Sequence, residues 1–234
     1  GIRHRVFSIN DQDKVSTIRD AFSKTDALYI ADGHHRCASA VKVGLKRREE
    51  NPGFTGDEEF NYFLSVIFPG DELKILDYNR VIKDLNGLSE VQFFNEVIDR
   101  FEVCDAKKHY SPEDKGLFGM YISGKWYKLR AHHDIKSDDP VKGLDVSVLQ
   151  DGLLGPVLGI GDPRTDKRID FVGGIRGLGE LEKRCSEDMQ VAFSMFPTSI
   201  DELFKVADEG LLMPPKSTWF EPKLRSGLFL HKID

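Results

Sequence analysis

Cysteine is scarce, and its spacing is irregular: Cys37, Cys104 and Cys185 are the three in 234 residues. An odd count at wide separations excludes a disulfide framework and a zinc motif, and it suits a reducing cytoplasm. Long apolar runs are missing as well. No stretch approaches the ~18 uninterrupted apolar residues of a membrane helix, and no signal-peptide pattern opens the chain. Positive charge is in deficit, with 33 Lys and Arg against 39 Asp and Glu and a net charge of −6. That balance argues against duplex DNA as a partner, because phosphate neutralisation wants a basic face. It leaves room for a local basic pocket and a small-molecule ligand. There is no internal repeat and no low-complexity tract, and oligomeric state is not legible.

What is present is an ordinary globular composition, 40% apolar and 31% charged. The length suits one large core or two small domains sharing an interface. The chain opens at Gly1 rather than at a methionine, which reads as a processed or excised fragment. Periodicity predicts a strand at His4–Ile9, a helix over Asp11–Ser23, a buried strand at Asp26–Ala31 and a helix from about His35 to Glu49. Phe60–Phe68 is the strongest strand signal and Leu73–Ile82 follows it. Ser89 caps a helix reaching Arg100, with Val91, Phe94, Val97 and Ile98 on its inner face. Leu117–Ile122 and Trp126–Arg130 flank a hairpin turn at Ser123–Lys125.

Beyond the polar linker His132–Lys142 come a helix over Leu144–Leu154, a strand at Arg168–Val172 and a helix over Leu178–Cys185. A strand at Val191–Met195, a helix over Ser199–Asp208 and a strand at Leu228–His231 complete the order. The sum is an α+β fold, mixed sheets with flanking helices, with a soft boundary between parts 1–131 and 132–234. Phe63, Phe68, Phe93, Phe94 and Phe101 read as core. His132–His133–Asp134 reads as a solvated linker, and Cys37 has no evident partner for redox chemistry.

The chemistry concentrates in ALYIADGHHRCASA, residues 27–40. A strand ends in a tight turn at Asp32–Gly33, and the first turn of the next helix carries His34, His35 and Arg36. Cations at that end oppose the macrodipole at a cost of ~0.3–1 kcal/mol. Free backbone N–H groups with imidazole and guanidinium donors beside them form an anion site instead. Gly33 lets the backbone turn sharply and lets a ligand approach closely. Asp32 either caps the helix or holds a divalent cation bridging bound phosphates.

Two further segments carry candidates. In DPRTDKRIDFVGGIRG, residues 162–177, paired glycines permit close approach and Arg176 can fork an oxyanion; a surface ion-pair network among Asp162, Arg164, Asp166, Arg168 and Asp170 explains the charges as well. Neither the Walker nor the dinucleotide glycine spacing is present. In MPPKSTWFEPKLRSG, residues 213–227, Lys216, Ser217 and Thr218 sit on a proline-stiffened loop that can clamp an oxyanion or simply strap the chain to its core. Trp219 and Phe220 can pack beneath it. In DYNRVIKD, Asn79 and Arg80 can reach a substrate or line a polar edge-strand face.

The ADGHHR turn resembles the phosphate-handling turn of the ParB/sulfiredoxin-like fold, one branch of which phosphorylates free L-serine. FNYFLSVIFP, LDYNRVIKDLNG, RIDFVGGIRG and MPPKSTWFEPKLRSGL together resemble the domain-of-unknown-function family one thousand and fifteen over essentially the whole chain. Its members run longer on the amino-terminal side, which makes this chain an amino-terminally truncated member. A catalytic base upstream of Gly1 would then be absent.

The resemblance implies a ParB/sulfiredoxin-like strand–turn–helix in the first third. Residues 132–234 would then complete the cleft. The implied activity is phosphoryl transfer from ATP or ADP (or pyrophosphate), with Mg2+, to a small hydroxyl metabolite, free L-serine first. Asp32, His34 and His35 are the implied catalytic set, with Asp32 near the metal. Gly33, Arg36, Arg164, Arg176, Lys216, Ser217 and Thr218 are the implied phosphate and nucleotide contacts. A nucleotide-binding regulatory module without turnover, and a phosphohydrolase using the same site, are the alternatives.

Overall fold

Local signals decide where the helices start. In a computed structural model, which describes residues 3–233, α1 (Gln12–Phe22) begins at Asp11, whose carboxylate accepts the Asp13 and Lys14 N–H groups. The long helix α2 (His34–Glu50) follows the glycine turn. Two strands come next, β1 (Lys74–Leu76) and β2 (Tyr78–Ile82). Helix α3 (Glu90–Ile98) opens with a reciprocal Ser89–Gln92 box. Strands β3 (Phe101–Ala106), β4 (Leu117–Ile122) and β5 (Lys125–Ala131) follow. Ser123 and Gly124, at φ 48° and 78°, make the two-residue turn that matches the twist of an antiparallel hairpin.

The short helix α4 (Asp145–Leu149) widens into a π turn over Gln150–Leu154. The remaining elements are β6 (Ile169–Gly173), α5 (Leu178–Glu187), β7 (Val191–Met195), α6 (Ile200–Asp208) and β8 (Trp219–Glu221). Ser199 and Glu202 form a second capping box at α6.

The architecture is α+β, as expected. Six strands make one sheet in the order β3-β5-β4-β7-β2-β6, and β1 pairs with β8 in a small second sheet. Every ladder is antiparallel. The large sheet takes four strands from before the 132–142 linker and two from after it. Its period-two alternation sends Ile82, Phe118, Met120, Ile122, Phe193 and Met195 into the main core under α3 and residues 144–160. Val81, Val172, Ala192 and Trp126 face the other way, against Leu181 of α5.

Several expected strands do not form. His4–Ile9, Asp26–Ala31 and Phe60–Phe68 pair with no neighbour. A strand needs a ladder to satisfy its N–H and C=O groups, and among the described residues these segments find none. Their apolar side chains stay exposed: Phe7 at 84%, Leu28 at 61% and Phe63 at 49%. Through residue 70, Gly44 is the single buried position among the described residues. The strand–turn–helix expected in the first third is therefore a turn and a helix, and Phe63 and Phe68 do not join the core that holds Phe93 and Phe101.

Leu228–His231 is not a strand either, whereas β3 and β8, with weak patterns, are. Helix α3 buries Phe93 and Val97 and exposes Val91 and Ile98, a rotation away from the expected inner face. Strand β2, for which a polar edge-strand face is one of two readings of the sequence, lies inside the sheet between β7 and β6.

Candidate active site

The glycine turn and α2 place a set of donors at one point. Gly33 is left-handed at φ 82°, and no side chain caps the helix it opens. Asp32 is therefore not the cap, and the first backbone N–H groups of a 17-residue helix point outward without intrahelical partners. Arg36 folds back over the turn. A Cβ on Gly33 would sit 2.9 Å from Arg36 Nη2, a flexible side-chain end that can shift, so it is the positive φ that favours glycine here. His34 and His35 are exposed in the same turn.

The carboxy-terminal loop closes on that turn. Lys223 Nζ lies 3.3 Å from Asp32 Oδ1, and Arg36 Nη2 lies 3.8 Å from Asp32 Oδ2. Arg36 Nη1 donates to Ser226 Oγ at 3.0 Å. Two cations thus face one carboxylate beside a positive helix end, which leaves the turn with surplus positive charge. These pairs are solvent-exposed, so each holds the loop only weakly.

The same loop is anchored in the sheet. The Trp219 indole packs edge-on to Tyr78 at 5.4 Å between centroids, donates to Glu221 Oε1 at 2.8 Å and lies under Lys223 Nζ at 5.4 Å. Gly173 is bare because the indole lies on it: a Cβ there would meet Trp219 Cε3 at 2.5 Å. Gly174 makes room for Asp77, whose carboxylate is pushed above its ordinary pKa by burial, partly offset by the Asn79 amide. Asn79 Oδ1 in turn accepts the Met195 N–H at 2.9 Å.

Of the residues singled out from sequence, the structure brings the Asp32–Arg36 turn and the carboxy-terminal loop together. Lys216 sits at φ 56° with its ammonium 5.6 Å from the Tyr78 ring. Ser217 is buried and spends its hydroxyl proton on the Pro214 carbonyl, while Thr218 is half-buried behind it. Arg176 follows β6 on a 3-10 turn, exposed and 3.5 Å from Glu180. Arg164 precedes β6 at its other end, both Nε and Nη2 bonded to Asp162, and Asp166 pairs with Arg168. Sequence reasoning missed Lys223 and Ser226 as partners of the turn. Their signal was the unassigned polar half of the MPPKSTWFEPKLRSG segment. It also missed Asp77, a carboxylate opening the DYNRVIKD run.

Among the described residues no three His, Cys, Asp or Glu side chains converge to hold a metal ion. Asp32 is one carboxylate, and Mg2+ commonly takes one or two carboxylates with the rest from phosphate and water. Asp32 is thus the residue of the turn that could contribute to holding such a cation.

A family model described as "Protein of unknown function (DUF1015)" matches residues 1–147. The chain belongs to the DUF1015 family. No curated protein matches it. Solved structures similar to this DUF1015 chain include a free serine kinase mutant in complex with ADP, at TM-score 0.42 and 15% identity over 89% of this chain and 80% of that one. A conserved hypothetical protein from Pyrococcus furiosus has TM-score 0.42 and 17% identity over 89% and 81%. A free serine kinase in complex with AMP has TM-score 0.41 and 13% identity over 91% and 81%. At such identity and TM-score the likeness assigns neither substrate nor site residue to this chain. No helix among the described residues is long and apolar enough to cross a membrane.

Proposed function

We propose that this DUF1015 chain is a nucleotide-dependent phosphotransferase acting on a small hydroxyl metabolite, free L-serine being the acceptor that the ADGHHR resemblance favours. The observation that carries the reading is an uncapped helix start with Arg36 folded over Gly33 and Lys223 held beside it by Asp32. Phosphoryl transfer depends mainly on positioning and on neutralising charge on the transferred group. The α2 N–H groups and Arg36 receive the phosphates of ATP, ADP or pyrophosphate, and Lys223 turns from Asp32 onto them. Asp32 is then free to take Mg2+ brought on those phosphates or to orient the attacking hydroxyl. His34 and His35 supply further donors at the same turn. Arg176 and Lys216 stand nearer the sheet as clamps for the remainder of the ligand, and the committed hydroxyl of Ser217 takes no part.

Isothermal titration with ADP, ATP and pyrophosphate in Mg2+, followed by an acceptor screen led by serine, tests this. Arg36→Ala should weaken nucleotide binding by roughly tenfold or more, the loss of a charge-assisted hydrogen bond of ~1.5–3 kcal/mol. Affinity unchanged within about twofold places the site elsewhere. Nucleotide consumption should rise when serine is added.

A second reading has its own support. Residues 3–70 bury only Gly44, so α2 is free to shift when a nucleotide docks, as in a regulatory module. Binding without turnover favours that module. Turnover indifferent to any acceptor marks a phosphohydrolase.

A further inference from the structure

Strand β2 carries a charge where the fold calls for an apolar residue. Its alternation places Arg80 on the main-core face, in register with Phe193 of β7 and Phe171 of β6, two positions before fully buried Ile82. The side chain is 4% exposed. Among the described residues no carboxylate lies within ion-pair distance of it.

Its guanidinium donates to the Tyr78 carbonyl and to the Lys216 carbonyl, the latter at 3.1 Å, and Cζ stands 5.4 Å from the Phe171 ring centroid. Two of the five N–H groups are thereby used and three remain. Burial pulls its pKa down to about 10, so it is still a cation at neutral pH. A buried cation without a counter-ion is costly, and two carbonyl dipoles with an aromatic face offset only part of that cost.

The same residue lines a cavity of about 310 Å3. Its apolar wall includes Val146, Phe171 and Leu212 with Pro214 and Pro215 of the carboxy-terminal loop, and the polar Ser147 and Gln150 line it too. Asp151 also lines it, and no lysine or histidine does. We propose that this cavity is a binding site for a small monocarboxylate, the carboxylate forked by Arg80 and its apolar body held against Phe171 and the prolines.

The lining selects the class. One guanidinium matches one carboxylate in charge and in planar bidentate geometry. A phosphate dianion asks for several donors, whereas the prolines contribute no N–H, the Ser147 hydroxyl and Gln150 amide donate to the Val141 and Ile160 carbonyls, and Asp151 adds a like charge. The volume lies at the small end of ligand pockets. None of this rests on the phosphotransferase reading, which concerns the Asp32–Arg36 turn.

The test is thermal shift and calorimetric titration of the full chain with propionate and benzoate, against their neutral isosteres propionamide and benzamide and against inorganic phosphate. The carboxylates should bind saturably, at least about tenfold more tightly than the amides and than phosphate. Arg80→Gln should abolish the difference. Asp151→Asn, at an exposed position, should tighten carboxylate binding by roughly two- to fivefold through loss of a like charge. If Arg80→Gln does not fold, the acid-against-amide comparison on the unaltered chain and the Asp151→Asn titration decide. Equal binding of acid and amide overturns the proposal. So does stronger binding of phosphate, or no carboxylate binding at millimolar concentration.

Discussion

Replacing Gly173 by alanine isolates the link between the sheet and the loop that reaches the glycine turn. Gly173 has an ordinary extended backbone, φ −64° and ψ 139°, so alanine brings no conformational strain. The entire effect is steric. The new Cβ would lie 2.5, 2.7 and 2.9 Å from Trp219 Cε3, Cζ3 and Cδ2, about 1 Å inside van der Waals contact with a rigid ring.

The indole cannot rotate away cheaply, because Glu221 holds its Nε1 and Tyr78 flanks it. Overpacking of this kind costs ~1–3 kcal/mol, and disturbing the aromatic pair adds ~0.5–1.5 kcal/mol. A chain of this size loses roughly 2–4 °C in Tm per kcal/mol. Trp219 belongs to β8, paired at Leu76, so its retreat frays the two-stranded sheet and carries Lys223 off Asp32.

Three readouts should move together. Tm falls, β8 amides lose hydrogen-exchange protection, and pyrophosphate affinity drops severalfold. Trp219→Leu in the same background should recover part of the Tm by restoring space. If Gly173→Ala leaves Tm, β8 protection and pyrophosphate binding unchanged, the loop does not transmit sheet packing to the turn.

Two other outcomes follow from single buried contacts. Asp145 is 8% exposed and accepts the Gly116 N–H at both oxygens, and burial raises its pKa from 3.8 to about 6. The folded chain then holds this proton more tightly than the unfolded chain, so stability falls as pH rises from about 4 through about 6. Asp145→Asn should remove that slope, a difference on the order of 2–3 kcal/mol by pH 7, read from denaturant melts at several pH values. Gly119→Ala drives a Cβ into Ser194 Oγ and to 2.8 Å from the Tyr110 carbonyl. It should destabilise by ~1–3 kcal/mol, and Ser194→Gly should relieve only part, because the carbonyl cannot retreat.

Elements governed by neighbours in sequence were the legible ones. Ser89 and Ser199 open capped helices because the serine hydroxyl accepts the N–H three positions on while that residue's side chain accepts the serine N–H, a local reciprocal pair. Ser123–Gly124 announces its hairpin because Gly124 supplies positive φ to a two-residue turn between two apolar runs, with Ser123 adopting φ 48° beside it. The Asp26–Ala31 and Phe60–Phe68 runs carry strong strand composition, yet a ladder partner is not a property of the run itself. In the candidate site, the unusual charge of the His34–Arg36 turn was visible. Lys223 and Ser226 were not, because they approach from about 190 residues away.

The amino-acid order alone pointed to the α+β class through its sequence of elements, and it determined most helix starts and the concentration of cations at the head of α2, since those depend on groups within about four residues of one another. Only the tertiary structure decided that β2 lies inside the sheet, which turns Arg80 from an edge residue into a buried cation facing a cavity. Strand order is set by which apolar faces bury one another across the whole chain, and period-two alternation reads the same on an edge strand as on a central one.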